Sequence, residues 1–252
     1  MVRMMMHGCT GAMGRVITDL VKEESEIAIV AGVDPRPAEG LGYPVYETLE
    51  ACKEDVDVVV DFSYAGAVDA LLDWCREKKT ALVLCTTGLS EEQLKKVDEA
   101  SKEIAILRSA NMSLGVNLLM KLLKEAAKVL AGSGFDMEIV EKHHRRKKDA
   151  PSGTALALAD SINEALDGAY HYTYDRSQQS QARDPKEIGI SAVRGGTIVG
   201  EHDVIFAGMD EVVTFSHTAY SRAIFAKGAL AAARFLPGKE AGMYDMADVI
   251  GL

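Results

Sequence analysis

Short apolar runs alternate with amphipathic stretches over the first 111 residues of the chain. The apolar runs fall at residues 2–6, 26–34, 56–62, 80–87 and 104–111, and helical periodicity is present at 13–23, 65–78 and 90–102. An uninterrupted apolar run of strand length is typical of a strand that is buried on both faces. The pattern therefore predicts an α/β domain in which helices cover both faces of a parallel sheet.

The pattern changes after residue 111. Helical stretches occupy 114–130, 152–166 and 221–236, strand-like runs occupy 136–141, 190–194, 197–208 and 211–219, and a polar segment occupies 170–186. The last three strands follow one another without helices, which predicts an antiparallel or mixed sheet. The polar segment has little to bury and is predicted to be a mobile loop. The helix at 221–236 is predicted to be the last helix and to return to the first domain.

Composition and charge limit the partners of this chain. It has 252 residues, 48% of them hydrophobic and 26% charged, and a formal net charge of −10. This acidic balance disfavours nucleic acid and anionic membranes as partners. No apolar run approaches the roughly 18 residues of a membrane helix, and the first residues do not have the pattern of a secretory signal. We therefore expect a cytoplasmic protein.

The cysteines and most of the histidines do not suggest a metal site. The cysteines at 9, 52, 75 and 85 form no CxxC pair, so neither zinc nor a disulfide framework is expected. The histidines at 7, 171, 202 and 217 lack acidic or cysteine partners at the spacing of metal ligands. Structural roles are the better interpretation for these four histidines.

A glycine-rich turn connects the first predicted strand to the first predicted helix. Its glycines at 8, 11 and 14 have the spacing that lets a dinucleotide pyrophosphate approach the backbone at a helix N-terminus. Asp34 ends the second strand, where a carboxylate can bind a ribose hydroxyl. This combination predicts NADH or NADPH as cofactor. Arg36 lies two residues further on and could pair with a 2′-phosphate, which leaves the choice between the two open.

A basic segment at residues 141–155, EKHHRRKKDAPSGTA, contrasts with the acidic chain. Two histidines and five cations fill residues 142–148, and Ser152 follows in a position to cap the next helix. The N–H groups of Gly153 and Thr154 would then face an anion. With His143, His144 and Lys147 beside them, this arrangement predicts a doubly anionic small ligand. A histidine among cations has a depressed pKa, which suits general acid–base catalysis near neutral pH.

The motifs together resemble one enzyme family. Besides the basic segment they comprise GCTGAMG (8–14), DFS (61–63), TTG (86–88), SANMSLGVN (109–117), VRGGTIVGEH (194–202) and SRAIFAKGA (221–229). In this order they resemble the 4-hydroxy-tetrahydrodipicolinate reductase (dihydrodipicolinate reductase) family. The resemblance implies a Rossmann-type dinucleotide-binding domain at 1–112 and 222–252. It also implies an α+β substrate-binding and oligomerisation domain with a mixed sheet at 113–221, and a homotetramer.

The resemblance also implies roles for individual residues. His143 would be a proton donor or acceptor and Lys147 a proton donor. The substrate carboxylate would be bound by His144, Ser152, Gly153 and Thr154. The cofactor would be bound by Gly8, Cys9, Thr10, Gly11, Ala12, Met13, Asp34, Cys85, Thr86, Thr87, Ser109, Ala110, Asn111 and Met112. The implied reaction is the NAD(P)H-dependent reduction of (2S,4S)-4-hydroxy-2,3,4,5-tetrahydrodipicolinate, a dicarboxylate of lysine biosynthesis. Cys85 and Pro35 depart from the family pattern, in which glycine and a basic residue are common at these positions.

Two alternatives remain open at this point. Another small-acid dehydrogenase on the same scaffold, such as a semialdehyde dehydrogenase, would need a cysteine nucleophile in its catalytic domain, and no cysteine follows residue 85. A non-catalytic redox sensor that binds NAD(P) would not need His143 and Lys147 beside an anion-binding turn.

Overall fold

The computed structural model describes residues 1–36 and 38–251. The chain divides into two compact units, the first formed by residues 1–113 with 223–251 and the second by residues 114–222. Each unit contains one sheet.

Twelve strands and seven α-helices are defined within the described residues. The strands are β1 (Val2–His7), β2 (Ile27–Val33), β3 (Val45–Tyr46), β4 (Val58–Asp61), β5 (Ala81–Leu84), β6 (Ala105–Leu107), β7 (Asp136–His143), β8 (His171–Tyr174), β9 (Glu187–Arg194), β10 (Gly200–Ala207), β11 (Val212–Ala219) and β12 (Gly242–Tyr244). The helices are α1 (Ala12–Val21), α2 (Val68–Lys78), α3 (Glu91–Ser101), α4 (Leu114–Leu130), α5 (Gly153–Ala165), α6 (Ala223–Phe235) and α7 (Met246–Ile250).

The first unit is built on a parallel sheet with the strand order β12-β6-β5-β4-β1-β2-β3. One face packs against apolar residues of α6, including Ala229 and Leu230, and the other against residues of α2 and α3, including Leu71 and Val97. Both faces are covered, which explains why the strands are continuous apolar runs. The predicted parallel α/β fold is confirmed. The strand order reverses at β1, and ligands of such sheets bind at the carboxyl ends of the strands beside that point.

The second unit is built on a mixed sheet with the order β11-β10-β7-β9-β8. Strands β7, β8 and β9 run parallel, whereas β10 is antiparallel to both β7 and β11. Leu123 of α4 and Leu158 of α5 pack against Ile139 and Phe206 on one face of this sheet. Side chains alternate between faces along a strand, so Glu141 and His143 continue the row begun by Ile139. The predicted mixed sheet is confirmed.

The prediction of a mobile loop over 170–186 is wrong for four of its residues. Residues His171–Tyr174 form β8, which pairs in parallel with β9. Later in the segment, the guanidinium of Arg183 donates to the carbonyls of Met137 and Glu187. A four-residue edge strand among polar residues has too few alternating apolar and polar positions to be recognised from sequence. Its hydrogen bonds to the partner strand β9 define it.

The helix predicted at 221–236 is not the last helix. It corresponds to α6 (Ala223–Phe235) and is followed by β12, which joins β6 at the edge of the first sheet, and by α7. A three-residue strand and a five-residue helix are too short for hydrophobic periodicity to reveal them.

Candidate active site

The glycine-rich turn of the first unit requires its glycines for steric reasons. Gly8 has a φ of +82°, and a Cβ atom there would lie 2.6 Å from the carbonyl oxygen of Phe62. A Cβ atom on Gly14 would lie 2.5 Å from the carbonyl oxygen of Gly8. The turn leads directly into α1. Gly11 is the N-cap residue of this helix and has no side chain to cap the first N–H groups. A phosphate oxygen can therefore accept from them.

Asp34 lies at the carboxyl end of β2 beside this turn and is only 2% exposed. Its carboxylate accepts from the hydroxyl of Thr10 at 2.6 Å and from Nε of Arg36 at 3.0 Å. Burial opposes ionisation, but the hydrogen bonds from Arg36 and Thr10 outweigh it and lower the pKa of Asp34 to about 2. The carboxylate is thus ionised at neutral pH. The Arg36 side chain is 68% exposed, so Arg36 is the partner with room to move.

A cavity of about 650 Å³ opens beside the turn. Its lining includes Gly8, Gly11, Asp34, Arg36 and Ser63, which belong to the carboxyl ends of β1, β2 and β4 or follow them directly. This volume is within the range of small-molecule and cofactor sites. The uncapped helix end, the close-packed glycines and the buried carboxylate together fit a dinucleotide.

His7 also lines this cavity, and sequence reasoning gave it no acidic partner. In the structure its Nδ1 lies 2.8 Å from Oδ1 of Asp61, a fully buried carboxylate that also accepts from the backbone N–H of Ser63. The two residues are register partners on the neighbouring parallel strands β1 and β4. The sequence held a signal for each residue of this pair, because each apolar strand ends on a polar residue. The pairing itself could not be predicted, since His7 and Asp61 lie 54 positions apart.

The remaining expected cofactor residues also lie in the first unit. Thr86 is buried, and its hydroxyl accepts from the backbone N–H of Ser63 at 3.0 Å. Asn111 and Met112 are buried, Ser109 is half-buried, and Thr87 and Ala110 are exposed. Burial raises the pKa of the Cys85 thiol well above its usual range, and the charge of Asp61 adds to this effect. Cys85 is therefore a protonated thiol, which argues against the alternative that needs a cysteine nucleophile.

The basic segment occupies the end of β7 and the start of α5 in the second unit. Ser152 is the N-cap of α5, and its hydroxyl accepts from the backbone N–H of Ala155 at 3.1 Å. The same hydroxyl lies 3.0 Å from Nε2 of His202 on β10. The predicted helix start is confirmed, and Gly153 and Thr154 lie in its first turn, where backbone N–H groups can donate to an anion.

His143 lies on β7 and is 8% exposed. Its Nδ1 is 2.6 Å from a carboxylate oxygen of Glu141, and its ring meets that of His202 edge-on with centroids 5.2 Å apart. Burial lowers the pKa of His143, Glu141 opposes this effect, and Lys147 and Arg194 reinforce it. The pKa of His202 is lowered to about 4 by burial and by the charge of His143.

Lys147 and His144 follow on the loop after β7. The Lys147 ammonium pairs with the Asp149 carboxylate at 2.9 Å. Nδ1 of His144 is buried and has no hydrogen-bond partner among the described residues. His144 also lines a cavity of about 630 Å³ with Arg145, Arg146 and Arg222, so this side of the second unit is strongly cationic.

Glu141 and Arg194 are the residues of this site that sequence reasoning missed. The Glu141 carboxylate is fully buried and accepts from both terminal nitrogens of Arg194 at 2.7 Å. Strand alternation could have found Glu141, because it falls on the buried face between Ile139 and His143. Arg194 could not be found in this way, since its pairing with Glu141 depends on the register of β7 and β9.

The residues described in the structure contain neither a metal-binding group nor a membrane-spanning helix. No cluster of three or more histidine, cysteine, aspartate or glutamate side chains suited to a metal ion occurs in residues 1–36 and 38–251. Within the same residues, no helix has the length and apolar character needed to cross a membrane.

The chain combines the fold of a nicotinamide-dependent oxidoreductase with a second unit that carries a cationic cavity, and comparisons identify its family. The family model described as "Dihydrodipicolinate reductase, N-terminus" matches residues 2–112, and the model described as "Dihydrodipicolinate reductase, C-terminus" matches residues 115–250. The chain belongs to the dihydrodipicolinate reductase family.

Relatives over the full length carry the same family name. The 4-hydroxy-tetrahydrodipicolinate reductase of Caldanaerobacter subterraneus subsp. tengcongensis is 57% identical over 99% of this chain and 98% of its own. That of Clostridium tetani is 51% identical over 98% of this chain and 96% of its own. The solved dipicolinate-bound dihydrodipicolinate reductase from Paenisporosarcina sp. TG-14 has a TM-score of 0.82 at 24% identity, with 99% of each chain covered.

Proposed function

We propose that this chain reduces (2S,4S)-4-hydroxy-2,3,4,5-tetrahydrodipicolinate to tetrahydrodipicolinate, with loss of water, in the diaminopimelate route to lysine. The hydride comes from NADH or NADPH. Full-length relatives that share about half of the residues or more carry this activity in their name. The observation that carries the proposal is the basic segment, in which His143, Lys147 and the start of α5 form a cationic site with an exchangeable proton.

The first unit supplies the cofactor site in this proposal. Residues 8–13 bind the pyrophosphate through the turn and the start of α1, and Asp34 binds the adenosine ribose. Cys85, Thr86, Thr87 and residues 109–112 line the nicotinamide side. Support comes from the glycine contacts and from the ionised carboxylate of Asp34 beside the cavity.

The second unit supplies the substrate site. The substrate carries two carboxylates, which His144, Ser152 and the N–H groups of Gly153 and Thr154 bind at the start of α5. Hydride addition to a conjugated imine leaves negative charge on the substrate, and a protonated group must neutralise it. Lys147 donates that proton, and His143 exchanges protons through its Nε2.

Substitution of the two proton-transfer residues tests this proposal. We expect Lys147→Ala to lower kcat by about 10³-fold and His143→Ala by about 10²-fold, because general acid–base groups contribute this much. The dissociation constant of NADH, measured by fluorescence, should not change in either variant. Near-normal turnover in both variants would contradict the catalytic assignment. A wild-type chain that binds NADH without turnover would favour the sensor alternative.

We further propose a cytoplasmic homotetramer in which residues 113–221 make the subunit contacts. The mixed sheet has helices on one face, and its other face presents Val193 and Val212, which are 46% and 62% exposed. Exposed β-branched residues on an uncovered sheet face favour burial against another subunit. Light scattering tests this: Val212→Lys should reduce the mass of the particle, and an unchanged mass would argue against this face.

A further inference from the structure

The buried carboxylate of Glu141 needs an explanation that the proposed reaction does not yet give. It is fully buried on the helix-covered face of the second sheet. An unpaired carboxylate in such a place costs several kcal/mol, so a protein retains one only with strong partners.

The contacts of Glu141 satisfy both of its carboxylate oxygens. Oε2 accepts from Nδ1 of His143 at 2.6 Å and from one terminal nitrogen of Arg194 at 2.7 Å. Oε1 accepts from the backbone N–H of Ser152 at 2.9 Å and from the other terminal nitrogen of Arg194 at 2.7 Å. One carboxylate therefore joins β7, β9 and the residue that caps α5.

These contacts determine which nitrogen of His143 can exchange a proton. Burial alone would raise the pKa of Glu141, but Arg194, His143 and the N–H of Ser152 lower it, so the carboxylate is ionised and only accepts hydrogen bonds. Nδ1 of His143 must then carry hydrogen, and Nε2 remains for proton exchange. Gly200 leaves room for this nitrogen, because a Cβ atom at position 200 would lie 3.1 Å from Nε2.

Arg194 extends the arrangement to the loop that bears Lys147. The guanidinium that hydrogen-bonds Glu141 also donates to the backbone carbonyl of Asp149 at 2.6 Å. The carboxylate of Asp149 in turn pairs with the Lys147 ammonium at 2.9 Å. Removing the charge of Glu141 would leave Arg194 without its bidentate partner and would release this loop.

We infer that Glu141, paired with Arg194, is a positioning residue of the reaction. It holds His143 as the Nδ1–H tautomer. It also fixes the backbone from Asp149 to Ser152, which lies between Lys147 and the anion-binding turn at the start of α5. This inference rests on the proposed function. Glu141 is fully buried and acts through His143 and Lys147.

The decisive variant is Glu141→Gln, which keeps the shape of the side chain and removes its charge. We expect kcat to fall by about 10²-fold, as for other residues that orient a catalytic group, with the dissociation constant of NADH unchanged. Glu141 raises the pKa of His143, so the limb of the kcat–pH profile that reports His143 should move to lower pH. The NMR titration of the His143 ring should move in the same direction, and this readout does not depend on activity.

Glu138→Gln is the matched control. Glu138 lies on the same strand but on the opposite face, where it pairs with Arg183 at 3.2 Å. We expect its kcat, pH profile and His143 titration to match those of the wild type. If Glu141→Gln loses activity but leaves the pH profile and the His143 titration unchanged, its role is structural only and the inference is wrong.

Two further variants keep the test decisive if Glu141→Gln folds poorly. Arg194→Lys keeps the positive charge but loses the bidentate contact, and we expect kcat to fall at least about fivefold. In a His143→Ala background, Glu141→Gln should cost less activity than in the wild type, since the two residues act together. Equal losses in both backgrounds, or full activity of Arg194→Lys, would overturn the inference. A wild-type enzyme without turnover would instead overturn the proposed function.

Discussion

Asp34 and Arg36 form a charge pair at the proposed ribose site. Asp34 accepts five hydrogen-bond contacts from Thr10 and Arg36, which leaves its oxygens little further capacity. A ribose hydroxyl must therefore compete with the Arg36 guanidinium for this carboxylate. Arg36 in turn neutralises a charge that would otherwise repel a 2′-phosphate. The balance between Asp34 and Arg36 should therefore set the preference between NADH and NADPH.

Replacement of Arg36 by alanine should change the preference between the two cofactors. Without the guanidinium, ionised Asp34 repels the 2′-phosphate and becomes free to bind the 2′-hydroxyl of NADH. We expect the ratio of kcat/KM for NADPH to that for NADH to fall at least about fivefold. Arg76→Ala, which removes an exposed arginine of α2 that pairs with Glu103, is the control and should leave the ratio unchanged. An unaltered ratio in Arg36→Ala would show that Arg36 does not interact with the cofactor.

His202 should make the stability of the protein depend on pH. Its pKa in the folded protein is about 4, mainly because of burial, against an ordinary value near 6.5. The unfolded chain therefore binds this proton more readily, and stability is lost as pH falls from about 6.5 towards 4. The contribution is on the order of 2–3 kcal/mol at the acid end of this range.

Thermal midpoints of the wild type and of His202→Gln between pH 7 and pH 4.5 check this expectation. Glutamine can keep a hydrogen bond with Ser152 but does not titrate, so the midpoint of the variant should fall less steeply with acid. His171→Gln replaces an exposed histidine and should retain the slope of the wild type. Parallel curves for wild type and His202→Gln would refute the explanation.

At the scale of the element, the sequence predicted helices and strands best where their hydrophobic pattern extended over many residues. The 17 residues of α4 were predicted with the bounds that the structure has, because an amphipathic helix repeats its apolar positions over several turns. The strands β3, β8 and β12 have two, four and three residues and were missed. These short strands are defined by hydrogen bonds to neighbouring strands, which their own residues do not predict.

The candidate site shows the same division between local and distant information. The start of α5 was predicted because Ser152 and the residues after it are a local capping signal. The pairs His7–Asp61 and Glu141–Arg194 join residues 54 and 53 positions apart, which only strand register brings together. Sequence reasoning proposed His143 as a site residue, but it could not pair either histidine with the carboxylate that it contacts.

The β1–α1 turn should tolerate no side chain at position 14. A Cβ atom on Gly14 would lie 2.5 Å from one backbone oxygen and 2.6 Å from another, and backbone atoms cannot move aside as a flexible side chain can. We expect Gly14→Ala to lower the thermal midpoint by several degrees, equivalent to about 1–3 kcal/mol, and to weaken NADH binding at least about tenfold. Calorimetry and NADH fluorescence measure the two effects.

Gly132→Ala is the matched control for this substitution, since no atom lies within 4 Å of the position of its Cβ. It should bind NADH as the wild type does. Gly11→Ala should be intermediate, because its nearest contact is 3.2 Å. Wild-type behaviour of Gly14→Ala would show that the turn can relax, contrary to the close packing described above.

At the scale of the whole molecule, an acidic chain presents a local cationic site. The net charge is −10, yet His144 lies in one cavity with Arg145, Arg146 and Arg222 in the second unit. For these three arginines no carboxylate lies within ion-pair distance among the described residues. Local positive charge on an otherwise acidic protein suits a small dianion and disfavours long polyanions, which require an extended basic surface.

The central claim is that this chain reduces a cyclic dicarboxylate with a nicotinamide cofactor. The most direct test is to follow NADH and NADPH oxidation while the preceding synthase generates the substrate from pyruvate and aspartate semialdehyde in the same solution. We expect oxidation that requires both the synthase and this protein, with either cofactor. If both cofactors bind but neither is oxidised when the synthase is active, the basic segment is an anion site without this chemistry, and the account is wrong.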